Sequence, residues 1–475
     1  MIYKKEKSIL TLALVATMLV FSCSTGSGDA DSASNESYEY QVPVEYYKLD
    51  NGLKVILSED KTAPTVAVAV YYNIGFRIEP KDRTGFAHLF EHMMFQGSQN
   101  LGKLEFIQLV QQNGGVLNGS TRFDFTNYFE IVPSHKLETM LWAEADRMKG
   151  LAITQDNLTN QQGVVKNEVK VNVLNQPYGG FPWLDMPQYA NENWYNAHNF
   201  YGDLEDLDAA TLEDVQSFFD TYYAPNNAAL AIVGDFDPED AKAMIEKYFG
   251  GIATSELPPM PDVSEPRQEK EKTFTKEDPK INKPAVAFAY HMPEKNSPEY
   301  YAMGLIDQIL LQGNDSRLHK QLVQENGYTS TVSGGINLLG NMFNYEGPML
   351  WLGNLIYDEN VSSDSILAVV DQEIAKLAAD GVTQEELDVA MVKFRSSLYD
   401  NIGGFFGIGR ADLLCTFALF DDDPSRINDI ESNLKQVTTD LVKKTAEEYL
   451  RSTNRTVLKL VPAQQEESEE LTPKL

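Results

Sequence analysis

The sequence predicts an α+β protein made of two homologous domains, each a mostly antiparallel sheet packed with helices. One observation is that runs typical of strands alternate with amphipathic helical runs along most of the chain. A second is an internal echo: residues 283–290 (KPAVAFAY) resemble residues 63–70 (APTVAVAV), and residues 321–327 (QLVQENG) resemble residues 108–114 (QLVQQNG). Two such echoes in the same order indicate two halves built on one plan.

The domain limits follow from length and from proline content. A chain of 475 residues suits more than one domain. A stretch rich in proline and charge at 259–282 predicts a linker. We therefore expect a first domain at 43–258, a second domain at 283–462 and an acidic tail at 463–475.

The elements of the first half can be predicted in order. Asn51-Gly52 supplies the positive φ angles of a tight turn, which predicts a hairpin over 48–57. The apolar run at 65–72 predicts a buried strand. Further strands are predicted at 117–132 and 228–235, and helices at 85–95, 104–113, 134–149, 155–174, 210–222 and 237–248.

The second half starts with a predicted strand at 283–290. Helices are predicted there at 299–308, 315–326, 361–380, 383–402 and 424–450. The helix that follows the first echo contains no histidine, unlike its counterpart in the first half. The glycine-rich segment 403–409 lacks the lysine of a phosphate-binding loop and predicts a mobile connection between helices.

The N-terminus predicts export and a lipid anchor. Lysines at positions 4, 5 and 7 precede a short apolar stretch, as in a secretory signal peptide, here 1–22. Val-Phe-Ser-Cys at 20–23 resembles a bacterial lipobox, which implies that Cys23 is lipidated and followed by a flexible tether, 23–42. We expect membrane attachment through Cys23 in the cell envelope of a Gram-negative-type bacterium, on the periplasmic or outer-membrane surface. The alternative is an ordinary signal peptide cut nearby.

The charge balance excludes one class of partner. The chain has 39 basic and 70 acidic residues, a formal net charge of −31. Such a surface repels nucleic acid, so we expect no DNA or RNA partner. With Cys23 lipidated, Cys415 has no partner for a disulfide and is predicted to be a small buried hydrophobe.

The segment that carries chemistry is His-Leu-Phe-Glu-His at 88–92. In a helix, His88 and His92 lie one turn apart on the same face, with Glu91 beside them. Two neutral imidazoles at this spacing suit zinc, and an adjacent carboxylate can take a proton from zinc-bound water. The order is the inverted zincin pattern. The alternative is a helix with two histidines that are only buried.

A catalytic zinc site usually takes a third protein ligand. The best candidate is Glu168, which we place on the inward face of its helix with Val164 and Val165. An inward carboxylate needs a cation or a metal. The alternative is a salt bridge, for example to Arg147.

Together these residues resemble the pitrilysin/insulinase family of zinc peptidases, in the branch similar to mitochondrial processing peptidase subunits. Three motifs carry the resemblance. They are the inverted motif, the helical sequence Val-Val-x-x-Glu whose last residue is Glu168, and Gly-Gly-x-x-Asn-Gly-x-Thr at 114–121. It implies two domains facing each other across a peptide-binding cleft. It also implies one zinc per chain held by His88, His92 and Glu168, with Glu91 as general base and acid.

The resemblance also implies a substrate-binding strand. Asn118, Gly119 and Thr121 would lie on the predicted strand 117–132, whose edge would accept an extended peptide by β-augmentation. For Asn118 the alternative is a turn residue before a glycine.

One departure from the family concerns the second half. Active members supply an arginine and a tyrosine from the metal-free domain, whereas this chain has Val323 and Ser330 at those positions. Tyr328, two residues away, is a possible substitute, because in a strand it would lie on the same face. We therefore expect a sibling subunit to supply the arginine and tyrosine in a heterodimer, with a homodimer as the other possibility.

These observations favour a zinc-dependent endopeptidase that hydrolyses short or unfolded peptides, as the catalytic subunit of a two-subunit peptidase. The main alternative is a non-catalytic peptide-binding or assembly subunit with a structural metal. A nutrient-binding lipoprotein would fit the tether equally well but not the metal motif.

Overall fold

A computed structural model describes residues 41–404 and 407–463 of the chain. The predicted signal peptide, Cys23 and nearly all of the tether lie outside the described residues, as does the acidic tail after residue 463.

The first half is built on a six-stranded sheet with the strand order β1-β2-β6-β3-β5-β4. The β2–β6 pair is parallel, and the other pairs are antiparallel. The strands are β1 (Glu45–Lys48), β2 (Lys54–Glu59), β3 (Thr65–Tyr72), β4 (Val116–Thr121), β5 (Thr126–Pro133) and β6 (Ala228–Gly234). The predicted hairpin is present: Gly52, with a φ of 84°, donates its N–H to the Leu49 carbonyl in the turn between β1 and β2.

In the described part of the first half, nine helices accompany this sheet. They are α1 (Phe86–Met93), α2 (Glu105–Gln112), α3 (Leu137–Lys149), α4 (Gln155–Val169), α5 (Asp185–Ala190), α6 (Trp194–Ala197), α7 (Leu204–Ala209), α8 (Leu212–Tyr222) and α9 (Pro238–Phe249). A π-helical turn, Lys170–Leu174, continues α4. The helices α1, α3, α8 and α9 share a core with one face of the sheet, to which β3 contributes Val66, Val68 and Val70.

The second half repeats this plan with a five-stranded sheet of order β7-β11-β8-β10-β9. The strands are β7 (Lys272–Asp278), β8 (Ala285–His291), β9 (Ser333–Ile336), β10 (Leu350–Ile356) and β11 (Arg455–Pro462). Its one parallel pair, β7–β11, corresponds to β2–β6, and the remaining strands follow in the same order and sense. The shared topology confirms two homologous halves of an α+β fold.

The helices of the second half cluster on its own sheet and on that of the first half. They are α10 (Pro298–Leu310), α11 (Arg317–His319, continued by a π-helical turn Lys320–Glu325), α12 (Ser363–Asp380), α13 (Gln384–Gly403), α14 (Ile408–Asp421), α15 (Ile430–Lys435) and α16 (Thr439–Tyr449). As predicted, Cys415 in α14 is buried and is a free thiol.

The two halves interlock. Helix α14 of the second half packs on β2, β3 and β6, against the face of the first sheet that is turned away from α1. In return, Phe181, Met186 and Ala190 of the first half cover a face of the second sheet formed by alanines and leucines of β8, β10 and β11. Each half therefore completes the hydrophobic core of the other.

Several predicted elements differ in the structure. Residues 117–132 do not form one strand, because a turn after Thr121 folds them into the antiparallel pair β4 and β5. The expected linker 259–282 contains strand β7, whose partner β11 lies almost two hundred residues along the chain and gives no local signal. The predicted helix 424–450 is broken into a 3₁₀ turn, Pro424–Asn428, and the helices α15 and α16. The domain limits themselves stay a prediction.

Among the described residues, no single helix is both long and apolar enough to cross a membrane. Only α13 and α14 taken together reach that length and composition, and they meet at a bend of 99°.

Candidate metal centre

Helix α1 places His88 and His92 side by side. Their ring centroids lie 5.0 Å apart, with the ring planes nearly perpendicular. The side chain of His88 is buried, whereas that of His92 is 20% exposed. One turn of helix therefore places both imidazoles on the same face of α1, as the spacing predicts.

The start of helix α1 is held by a buried carboxylate. Gly85, the residue before the helix, has a φ of 84° and no side chain that can cap. Instead, Glu79 accepts hydrogen bonds from the backbone N–H groups of Gly85 (2.9 Å) and Ala87 (2.6 Å). Burial raises the pKa of Glu79 to about 8, while these two N–H donors lower it. This cap could not be predicted from the sequence, because Glu79 lies outside the helix in an irregular loop.

Helix α4 delivers the third ligand candidate. It begins at the cap Thr154, packs against α1, and points Glu168 at both imidazoles. Glu168 Oε2 lies 3.2 Å from His92 Nε2, and Oε1 lies 3.7 Å from His88 Nε2. The expected helix face holds only in part: Val165 is buried, but Val164, one turn before Glu168, is 42% exposed.

The donor set fits a zinc ion. One nitrogen or oxygen atom from each of the three side chains lies within 4.8 Å of the others, and no other such group occurs in residues 41–404 and 407–463. Burial lowers the pKa of His88 to about 4, and the charge of His92 contributes to this shift as the second cause. The ring of His88 is therefore neutral, as a metal ligand must be. The hydrogen bond with His92 lowers the pKa of Glu168, which favours the carboxylate. His88, His92 and Glu168 would hold the ion with three protein ligands, the number found in catalytic zinc sites that also bind water.

The alternative of a salt bridge between Glu168 and Arg147 does not occur. Arg147 is fully buried elsewhere, where it pairs with Glu144 and Glu130 and its guanidinium lies 3.7 Å from the ring centre of Phe106.

Glu91 is fixed by strand β4. The hydroxyl of Thr121 donates a hydrogen bond of 2.7 Å to Glu91 Oε2. Burial raises the pKa of Glu91, while this hydrogen bond opposes the shift. A desolvated carboxylate of this kind is a suitable proton acceptor. Thr121, predicted to bind substrate, is buried and contacts Glu91, because alternation along β4 turns its side chain inward.

The other two predicted substrate-binding residues also lie on β4, which is the edge strand of its sheet. Asn118 is exposed and pairs in register with Phe129, so it is a strand residue and not the turn residue of the alternative reading. Gly119 is buried, and a Cβ atom there would lie 3.4 Å from Glu91 Cγ. Strand β4 therefore passes within van der Waals range of Glu91 at Gly119, where Tyr128 Cδ1 would be the nearest atom to such a Cβ, at 3.2 Å.

Two further side chains lie beside His88 and Glu91 and were not predicted from the sequence. The ring of Tyr201 lies 5.1 Å from that of His88. The guanidinium of Arg122, in the turn between β4 and β5, lowers the pKa of Glu91 and has no hydrogen-bond or ion-pair partner among the described residues. Both reach the site through tertiary folding, so no local pattern marks them.

The second half does not present an arginine and a tyrosine at the positions where the resemblance to the family implies them. Ser330 is exposed, and Val323 and Tyr328 are half-buried against the core of the second half. Tyr328 lies in a loop before β9, so strand alternation does not set the direction of its side chain.

Comparisons with known proteins agree with this geometry. Residues 54–193 match the family model described as insulinase (peptidase family M16), and residues 209–393 match that of the peptidase M16 inactive domain. The chain is 26% identical to the zinc protease PqqE of Helicobacter pylori over 438 residues, covering 90% of this chain and 95% of that protein. It is 26% identical to the insulin-degrading enzyme of Mus musculus over 370 residues, or 73% of this chain and 35% of that enzyme.

A solved structure shows the same fold. The crystal structure of a protease from Helicobacter pylori superposes with a TM-score of 0.81 at 25% identity, covering 89% of this chain and all of that one. The two family models match adjacent segments that together span more than half of the chain. The protein therefore belongs to the pitrilysin/insulinase family, peptidase family M16.

Proposed function

We propose that this chain is a zinc-dependent endopeptidase that hydrolyses short or unfolded peptides. The observation that carries the proposal is the convergence of His88, His92 and Glu168 beside Glu91. Relatives named as zinc proteases, with one of which the chain aligns over 90% of its length, support it.

Bound zinc would polarise the scissile carbonyl and acidify a water molecule. Glu91 would then take the proton from that water and pass it to the leaving amine. The hydrogen bond from Thr121 engages one oxygen of Glu91 and fixes the plane of the carboxylate. The other oxygen is left to exchange the proton.

The edge of β4 is the proposed peptide-binding surface. Its outer N–H and C=O groups have no neighbouring strand in the described sheet. An extended peptide can pair with them whatever its sequence, which suits unfolded substrates. Asn118 and Gly119 lie on this strand, so a peptide paired there would pass beside Glu91.

The test is the variant Glu91→Gln. We expect it to retain one zinc per chain, measured by atomic emission, and to lose cleavage of a quenched fluorescent peptide by at least 100-fold, because the amide cannot accept the proton. Glu205→Gln, an exposed change on α7, is the matched control. Cleavage by Glu91→Gln at the control rate would contradict the proposed role, as would wild-type cleavage that survives removal of zinc by a chelator.

A non-catalytic peptide-binding or assembly subunit is the competing function. Structural zinc sites usually have four protein ligands. Among the described residues only His88, His92 and Glu168 converge, which favours the enzyme. Tight zinc and peptide binding without cleavage of any peptide in a complex mixture would instead favour the subunit.

Two finer parts of the proposal concern location and assembly. We propose a lipid anchor at Cys23 in the cell envelope, supported by the lipobox-like sequence before it. Cys23→Ser should then abolish labelling by a fatty-acid probe and release the protein from membranes. We also propose a sibling subunit, because Val323 and Ser330 cannot replace an arginine and a tyrosine. Activity of the purified chain that does not rise when a sibling is added would exclude this requirement.

A further inference from the structure

Tyr201 is fixed against the start of helix α1 by close backbone packing. The next residue, Gly202, has a φ of 76°, and a Cβ atom there would lie 2.4 Å from the backbone nitrogen of Gly85. A Cβ atom on Gly85 would in turn lie 3.0 Å from the carbonyl oxygen of Tyr201. These two glycines bring the chain at Tyr201 into contact with the start of α1.

The ring of Tyr201 has three aromatic neighbours. Its centre lies 5.1 Å from the ring of His88, 5.4 Å from that of Trp183 and 6.3 Å from that of Phe76. A ring packed on several sides has little freedom to rotate, so the hydroxyl is held in one place. Tyr201 is thus a rigid neighbour of a candidate zinc ligand.

The hydroxyl of Tyr201 is available to a ligand. The side chain is half-buried, and its oxygen has no hydrogen-bond partner among the described residues. A phenolic O–H is a hydrogen-bond donor, so this hydroxyl can donate to an oxygen of a bound ligand.

Peptide hydrolysis places negative charge on the carbonyl oxygen of the scissile bond, and a fixed donor there lowers the barrier. The metal-free half offers Val323 and Ser330 at the positions where the family has an arginine and a tyrosine. Tyr328, in its loop, packs against the core of that half. Within residues 41–404 and 407–463, Tyr201 is the tyrosine whose ring packs on a metal-ligand candidate.

We infer that Tyr201 is a substrate-binding residue whose hydroxyl donates a hydrogen bond to the carbonyl oxygen of the scissile peptide, from the same half as the metal ligands. The inference rests on the proposed zinc peptidase function. It does not depend on the sibling subunit, since the effect of Tyr201 is measurable in the chain alone or in a mixture.

The first test compares Tyr201→Phe with Tyr328→Phe. Phenylalanine keeps the ring packing on His88 and Trp183, so zinc content and melting temperature should not change. We expect Tyr201→Phe to lower kcat about 100-fold with less than a threefold change in KM, the size of effect seen for loss of one oxyanion donor. Tyr328→Phe should match the wild type. A normal kcat in Tyr201→Phe, or a loss confined to Tyr328→Phe, would overturn the inference.

The second test uses binding instead of turnover. The probe is a phosphinic pseudopeptide, whose anionic oxygens imitate the hydrated scissile bond, titrated into the zinc-loaded protein by calorimetry. Tyr201→Phe should weaken its binding at least tenfold, while binding of the parent peptide, measured in a Glu91→Gln background, should be unaltered. Equal affinity of the pseudopeptide for wild type and Tyr201→Phe would refute the role.

The outcomes separate the two proposals. A zinc-loaded wild type that cleaves nothing, alone or with a sibling, would overturn the peptidase function and this inference with it. An active, chelator-sensitive wild type with an unaffected Tyr201→Phe variant would overturn this inference alone.

Discussion

Glu79→Ala should remove the cap at the start of helix α1, which carries His88 and His92. Glu79 is completely buried and accepts the backbone N–H groups of Gly85 and Ala87, which no side chain of the helix itself can cap. Alanine would leave both N–H groups buried without an acceptor. Each such group costs about 1–3 kcal/mol, so the free energy of unfolding should fall by about 2–6 kcal/mol. Ala87 immediately precedes His88, so the loss should also disturb the first ligand.

Two measurements test this reasoning. With an unfolding entropy of about 2.1 cal/mol/K per residue, a chain of this size loses roughly 1 °C in melting temperature per kcal/mol, so calorimetry should show a drop of about 2–6 °C. Competition with a fluorescent chelator should show zinc affinity at least tenfold weaker. Glu79→Gln should be intermediate, because its amide oxygen can accept one N–H while its NH₂ faces the other. A Glu79→Ala variant that melts and binds zinc like the wild type would refute the capping role.

Three further outcomes are expected. Thr121→Val removes the hydrogen bond to Glu91, and a hydrogen bond to a charged acceptor contributes about 1.5–3 kcal/mol. The variant should therefore lower kcat/KM about 10- to 100-fold at unchanged zinc content. A kcat/KM equal to that of the wild type would contradict this role of Thr121. Buried Asp307 accepts a hydrogen bond from Trp351, and burial raises the pKa of Asp307 to about 7. Between about pH 4 and pH 7 the carboxyl group of Asp307 is therefore protonated in the native protein and ionised in the unfolded chain. Unfolding free energy should therefore fall by about 1.4 kcal/mol per pH unit between those values, and Asp307→Asn should remove this slope in urea titrations at pH 5 and 8. Removal of zinc should lower the melting temperature, and added zinc should restore it.

The three residues that converge at the candidate metal centre could be predicted because they depend on local geometry. His88 and His92 need only the four-residue period of a helix, and Glu168 needs a helix with a recognisable inward face and the spacing of the family. Even so, the helical period does not give the depth of burial, since Val164, one turn before Glu168, is exposed and Glu168 itself is partly exposed. Strand β3 was predicted with its observed limits, because an apolar run buried on both faces is a strong signal.

The supporting residues could not be predicted, because their positions depend on contacts distant in sequence. Glu79 and Tyr201 reach helix α1 only when two loops fold onto it. Helix α14 was missed because it is apolar on nearly all sides, with residues such as Leu414 and Phe417 buried, so it has no amphipathic period. Strand β10 was missed because Gly353 interrupts it and its register is set by β8.

The metal-free half supports the metal site through the sheet between them. One face of β3 contacts the helices around α1, and the other, with Ala67, Ala69 and Tyr71, is covered by α14. The hydroxyl of Tyr71 donates a hydrogen bond of 2.9 Å to Asp412 of α14, so a buried polar contact fixes this packing as well. Without the second half, the back of the sheet would expose an apolar surface and a tyrosine without its acceptor. The second half therefore covers the apolar back of the sheet that carries the candidate metal centre, so the first half depends on it for a closed core.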